Sequence, residues 1–188
     1  GEKSQACSAF NLSNDRPIIG FCPGAEFGPA KRWPHYHYAA LAKKLIDDGY
    51  QIALFGSAKD NEAGKEIIAA LSSEQQAWCR NLAGETQLEQ AVILIAACKA
   101  VVTNDSGLMH VAAALDRPLV ALYGPSSPDF TPPLSHKARV IRLISGYHKV
   151  RKGDAAEGYH QSLIDITPER VLQELNELLT DKTGHEEA

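Results

Sequence analysis

The chain is predicted to fold as an α/β protein, a Rossmann-like parallel sheet with helices on both faces. Three observations predict it. Short strand-like runs alternate with helical patterns from residue 17 to about 143. The runs Ile18-Ile-Gly-Phe-Cys22, 100–103 and 119–123 are continuously apolar, without the polar alternation of a sheet wetted on one side. Successive runs are far enough apart for a loop and a helix, the spacing of right-handed parallel crossovers.

Each element has a local reason. A Gly/Pro-rich loop at 23–34 follows the first strand, then a helix over 35–48 with Leu41, Leu45 and Ile46 on one face and Gly49 as its stop. A second strand spans 51–55, and a helix spans 61–71. A helical piece at 73–79 precedes a short strand at 80–82. The patterns then read helix 88–97, strand 100–103, helix 108–115 and strand 119–123. A proline-dense loop at 124–133 leads to a strand at 139–143, and 145–161 has no clear period. Thr167 as N-cap and Pro168 at the first helical position open a last helix. Val171, Leu172, Leu175, Leu178 and Leu179 form its apolar stripe.

At roughly 150 residues per domain, 188 residues make one domain. A core of that size needs no disulfide or metal, and 44% apolar against 22% charged residues fits a globular chain. A formal charge of −4 gives no general attraction to nucleic acid or anionic lipid. The longest apolar run, 91–98, is far short of a membrane span. Residues 1–16 read as a polar lead-in or linker with no secretory signal. Cys7, Cys22, Cys79 and Cys98 lack paired or metal-ligand spacing and read as reduced thiols of a cytoplasmic protein.

In a parallel sheet the ligand lies beyond the carboxyl ends of the strands, so the loops at 23–34, 56–60, 104–107 and 124–133 are the places to search. They carry no GxGxxG, no GxxxxGK[ST] and no GxSxG elbow. They carry no Asp-x-Asp pair either, and His35 and His37 fall on different helix faces, so no metal is expected.

The sharpest motif is Thr103-Asn-Asp-Ser-Gly-Leu-Met-His110, which runs from a buried strand into a helix N-terminus. Free N–H groups and the positive end of the dipole favour a phosphate there. Gly107 permits close approach, Ser106 adds a hydroxyl, and Asp105 is an acceptor for sugar hydroxyls. The plainer alternative makes Asp105 or Ser106 an N-cap and His110 a surface residue. Lys31 and Arg32, before Trp33-Pro34, are placed to offset charge on a departing diphosphate, or to be a solvated pair beside a packing anchor. Asp60 and Glu62 follow the second strand, where an acid accepts from ribose hydroxyls or caps a helix. His148, Lys149, Arg151 and Lys152 form a basic cluster that is either solvated or faces an anionic acceptor.

Four blocks together, 21–34, 55–60, 104–110 and 123–128, resemble glycosyltransferase family 9, the heptosyltransferases. Lys31-Arg-Trp-Pro34 and Asp105-Ser-Gly-Leu-Met-His110 resemble the family at large. Residues 26–30 and 146–153 are similar to its type II members. The resemblance covers about residues 17–179 and implies one half of a GT-B enzyme: a nucleotide-sugar-binding domain over 17–180 and a polar tail at 181–188. It also implies that the N-terminal acceptor domain lies outside this chain and that, if the last helix braces that domain, the stripe from Val171 to Leu179 is partly exposed.

The implied reaction is metal-independent, cofactor-free, inverting transfer of L-glycero-D-manno-heptose from ADP-heptose to the inner-core heptose of lipopolysaccharide. It would run at the cytoplasmic face of the inner membrane, with peripheral membrane association of the whole enzyme. By position, Lys31 matches a lysine near the diphosphate and heptose and Asp105 an aspartate near the heptose hydroxyls, the two catalytic residues that the resemblance implies for this half. Ser106, Gly107 and Leu108 match the diphosphate cradle, with His110 in the same block and Arg32 beside Lys31. Asp60 or Glu62 matches the ribose contact. The general base belongs to the missing half, so this chain is expected to bind ADP or ADP-heptose without turnover. Two other readings are a nucleotide-sugar epimerase or different glycosyltransferase of the same architecture, and a non-catalytic binding module.

Overall fold

A computed structural model describes residues 1–25, 28–125, 137–143 and 156–180. Residues 26–27, the distal part of the 124–133 loop, the 148–152 basic cluster and the 181–188 tail lie outside the described residues.

Six parallel strands form one sheet in the order β3-β2-β1-β4-β5-β6. They are β1 (Ile18–Cys22), β2 (Gln51–Leu54), β3 (Cys79–Asn81), β4 (Ala100–Asn104), β5 (Leu119–Tyr123) and β6 (Ala138–Arg142). The winding reverses at β1, where Phe21 registers with Leu54 of β2 on one side and Val102 of β4 on the other. A crevice therefore opens beyond the ends of β1 and β4. As the unbroken apolar runs predict, every residue of β1, β4 and β5 is buried.

The helices are α1 (Glu2–Ala9), α2 (His35–Asp47), α3 (Asn61–Ala69), α4 (Ser73–Gln76), α5 (Leu88–Ala97), α6 (Gly107–Ala114), α7 (Gln161–Ile164) and α8 (Pro168–Thr180). Side-chain alternation along β1 sorts them into two layers. Ile19 and Phe21 pack in one core with Tyr38, Leu41 and Leu45 of α2 and Val171 and Leu175 of α8. Ile18 and Cys22 pack in the other with Leu94 and Ile95 of α5 and Met109 of α6. Most boundaries fall within two residues of the expected ones. The piece at 73–79 is shorter: a capping box of Ser72 and Gln75 starts α4, and the chain becomes extended by Cys79 to enter the sheet.

Two expectations are corrected. Residues 1–16 are no loose lead-in, since α1 packs on α5 and buries Cys7, and Leu12 is buried behind it. Polar anchoring completes that attachment. The buried Gln51 amide donates to the carbonyls of Ser13 (2.6 Å) and Arg16 (2.8 Å). The Arg16 guanidinium lies 3.8 Å over the Trp78 ring and donates to the Ile46 and Tyr50 carbonyls. Two buried apolar side chains with such anchors hold a segment whose apolar density is low. The stripe of α8 is likewise covered: Val171, Leu175 and Leu178 are buried, and Leu172 and Leu179 pack against the same core.

All four cysteines are unpaired and buried, and burial pushes the thiols of Cys22 and Cys79 up to about 12. No helix among the described residues is long and apolar enough to cross a membrane.

Candidate functional site

The carboxyl ends of β1, β2 and β4 converge on a cleft of about 440 Å³. Cys22, Phe55 and Ser106, at or just past those strand ends, line it. Leu88, Leu108 and Val111 add an apolar wall. Such a wall suits a flat base, and the α6 N-terminus beside it suits an anion.

Gly107 begins α6, and Ser106 holds the N-cap position with extended backbone (φ −148°, ψ 167°) but makes no side-chain capping bond. Its hydroxyl lies instead 3.3 Å from the Thr103 hydroxyl. A Cβ placed on Gly107 would meet nothing within 4 Å, so the chain's own packing gives no reason for glycine there.

Arg32 and Asp60 come together, with the guanidinium 3.6 Å from the carboxylate. Asp60 lines the cleft, yet it is buried and its Oδ2 accepts from the Ser57 amide (2.9 Å) and the Ser57 hydroxyl (3.1 Å). Its carboxyl group fills the space over two glycines. A Cβ on Gly24 would fall on it, and one on Gly56 would lie 2.7 Å from Oδ2. Asp60 thus knits the turns after β1 and β2 together and holds Arg32.

The other expected residues are placed as follows. Ser106, Gly107 and Leu108 line the cleft with Asp60. Lys31 ends a one-turn helix, Pro29–Lys31, and is half-buried, as is Asp105; neither lines the cleft itself. Glu62 is not brought to the cleft: its carboxylate is 79% exposed and pairs with Lys65 at 3.4 Å. It sits in the first turn of α3, where the helix turns it to solvent. His110 is exposed on α6, outside the lining.

Sequence reasoning passed over three residues. Lys59 and Leu88 line the cleft; a lone lysine in a polar loop and a leucine opening a helix carry no special pattern. Asn104 is fully buried at the end of β4, and a polar residue closing an apolar strand was the available signal. Among the described residues there is no group of three His, Cys, Asp or Glu able to hold a metal.

The glycosyltransferase family 9 (heptosyltransferase) profile matches residues 1–160, which include the segment holding α1. The chain is 85% identical over 182 residues to lipopolysaccharide heptosyltransferase 2 of Salmonella typhimurium, covering 97% of this chain and 52% of that protein. It is 86% identical over 179 residues to the Escherichia coli protein of the same name, covering 95% of this chain and 51% of that one. The chain therefore spans about half the length of these curated relatives. Among solved structures, E. coli ADP-heptose lps heptosyltransferase II superposes with a TM-score of 0.89 at 78% identity, over 100% of this chain and 53% of that one. An E. coli heptosyltransferase solved with ADP superposes with a TM-score of 0.67 at 27% identity, over 92% of this chain and 48% of that one. Fold, cleft and likeness agree, and the chain belongs to glycosyltransferase family 9, the heptosyltransferases.

Proposed function

We propose that the chain is the donor-binding half of an inverting heptosyltransferase that moves L-glycero-D-manno-heptose from ADP-heptose to the inner-core heptose of lipopolysaccharide. One observation carries this reading: an α6 N-terminus without a side-chain cap, fronted by an unobstructed Gly107, opens on an apolar-walled cleft at the switch point. The diphosphate would take the N–H groups of Gly107 and Leu108 with the Ser106 hydroxyl. Adenine would lie along Leu88, Leu108 and Val111.

Lys31 and Arg32 would offset the negative charge that grows on the diphosphate as its bond to the anomeric carbon breaks. Asp105 would accept from the heptose hydroxyls. The acceptor hydroxyl attacks the opposite face, and its proton passes to a base in the other half of the enzyme. The reaction is proposed to need no metal and to run on the cytoplasmic side of the inner membrane. Asp60 would serve this site through Arg32, which its Oδ1 meets at 3.6 Å while its Oδ2 accepts from Ser57.

Thermal melting of the chain with ADP, UDP and ADP-sugars tests the reading. A ligand at 100 times its Kd adds about 2.7 kcal/mol, or roughly 5–10 °C for a domain this size. ADP is expected to give such a shift and UDP none. A larger shift with UDP than with ADP would overturn the proposal.

A further inference from the structure

Asn104 occupies the last position of β4, immediately before Asp105 and Ser106, and is completely buried. A carboxamide can accept two hydrogen bonds and donate two, and here all four are made. Its Oδ1 accepts from the Trp33 N–H (3.0 Å) and the Tyr38 hydroxyl (2.8 Å). Its Nδ2 donates to the carbonyls of Pro23 (2.7 Å) and Gly24 (3.2 Å). The partners fix the amide's orientation, because a backbone N–H must meet the oxygen and the two carbonyls must meet the nitrogen.

Those four bonds join separate pieces of the cleft. Pro23 and Gly24 form the turn after β1, which supplies Gly24 and Ala25 to the lining. Trp33 directly follows Arg32, so its N–H belongs to the peptide that ends the Lys31-Arg32 loop. Tyr38 lies on α2 and is fully buried. Among the described residues of the 23–34 loop, none pairs in the sheet. Its register against the start of α6 is set by side chains, and Asn104 is continuous in sequence with that start.

Resting on the donor-half reading, we propose that Asn104 is a positioning residue for transfer. It sets the spacing across the switch point between the cationic loop of Lys31 and Arg32 and the 105–107 cradle. A shift of about 1 Å in such a spacing is enough to cost roughly 10²-fold in rate. Aspartate has the size but no donor, and would set an oxygen against the Pro23 and Gly24 carbonyls. Alanine leaves four buried polar partners unpaired.

The test uses the whole enzyme that contains this half, with donor kinetics, ADP binding and melting measured together. Asn104→Asp and Asn104→Ala are expected to lower kcat by about 10²-fold while the donor KM changes less than about fivefold. Tyr38→Phe removes one of the four bonds and keeps both loops tied, so its kcat stays within about fivefold of the parent. Leu45→Ala, a core truncation on α2 away from the cleft, reports what lost stability alone does and should leave kcat within about threefold. If Asn104→Asp does not fold, Asn104→Ser, which keeps one donor and one acceptor, is expected to show the same kcat-weighted loss at smaller size. A kcat within about threefold of the parent for the Asn104 variants overturns the inference. So does a loss confined to KM, or an equal kcat loss in Leu45→Ala. A parent enzyme that binds no ADP overturns the donor-half reading instead.

Discussion

The Trp33 indole N–H donates to the Ile166 carbonyl at 2.8 Å, reaching from the loop beside the cleft to the connection that launches α8. His37, whose ring stacks at 5.3 Å from that of Trp33, reaches the Ile164 carbonyl two residues earlier at 2.7 Å. The cationic loop is thereby fastened on both sides, to β4 through Asn104 and to the α7–α8 connection through these rings. Trp33→Phe keeps most of the packing but leaves a buried carbonyl without its donor, a cost of about 1–3 kcal/mol. The melting temperature of the chain should fall by about 3–10 °C; no change would show that Ile166 finds another donor at no cost.

The Asp60 carboxyl occupies the space a side chain would need at Gly24. Gly24→Ala is therefore expected to destabilise the chain by about 1–3 kcal/mol through overpacking. In an Asp60→Ala background the same change should cost less than half as much, because the obstructing group is gone. Denaturant melts of the four proteins close the cycle. Additive effects would mean that Gly24 is needed for a reason other than Asp60.

At Gly107 the expected pattern is the reverse. A methyl group there meets none of the described residues beyond its chain neighbours and its own helix backbone, and alanine is the better helix former. Gly107→Ala should melt at the parent temperature or slightly higher, yet bind ADP at least about tenfold more weakly, a loss of about 1.4 kcal/mol. Calorimetric titration of both proteins decides it. Unchanged ADP affinity would remove the α6 N-terminus from the diphosphate site.

Burial holds the His37 imidazole below its ordinary pKa of 6.5, against the opposing influence of the Ile164 carbonyl and Glu169. Its neutral form is favoured in the folded state, so the unfolded chain takes up the proton first as pH falls. The stability this histidine contributes is therefore present above pH 6.5 and is lost as pH falls below it. Melting from pH 7.5 down to 5.5 should show a decline that His37→Gln makes shallower. Equal slopes would mean that other groups carry the acid sensitivity.

Local physics made much of this protein legible. The unbroken apolar run of β1 signals burial on both faces without reference to anything else in the chain. Thr167-Pro168 announces α8 because a hydroxyl cap and a fixed φ act within one turn, and the Thr167 hydroxyl does accept from the Arg170 amide at 3.1 Å. Ser106 and Gly107 were legible for the same reason: a strand running directly into a helix places its free N–H groups at the strand end.

What sequence left open depends on distance along the chain. Asp60 follows β2 in sequence, but only the arrival of Gly24 from another loop shows that its carboxylate sits between two turns. Glu62, only two residues away, is turned to solvent by the helix it sits on. Residues 1–16 read as a polar lead-in, and only the fold shows α5 covering Cys7 and the Gln51 side chain tying down Ser13 and Arg16. Asn104 has no local partner for its amide, and all four of its bonds reach residues at least 66 positions away in sequence. Short-range patterning by itself determined the strands, most of the helices and the strand-to-helix junction at Ser106 and Gly107. Only the tertiary structure decided which polar groups line the cleft and which bind the loops together, because those hydrogen bonds form between segments that meet only when the sheet assembles.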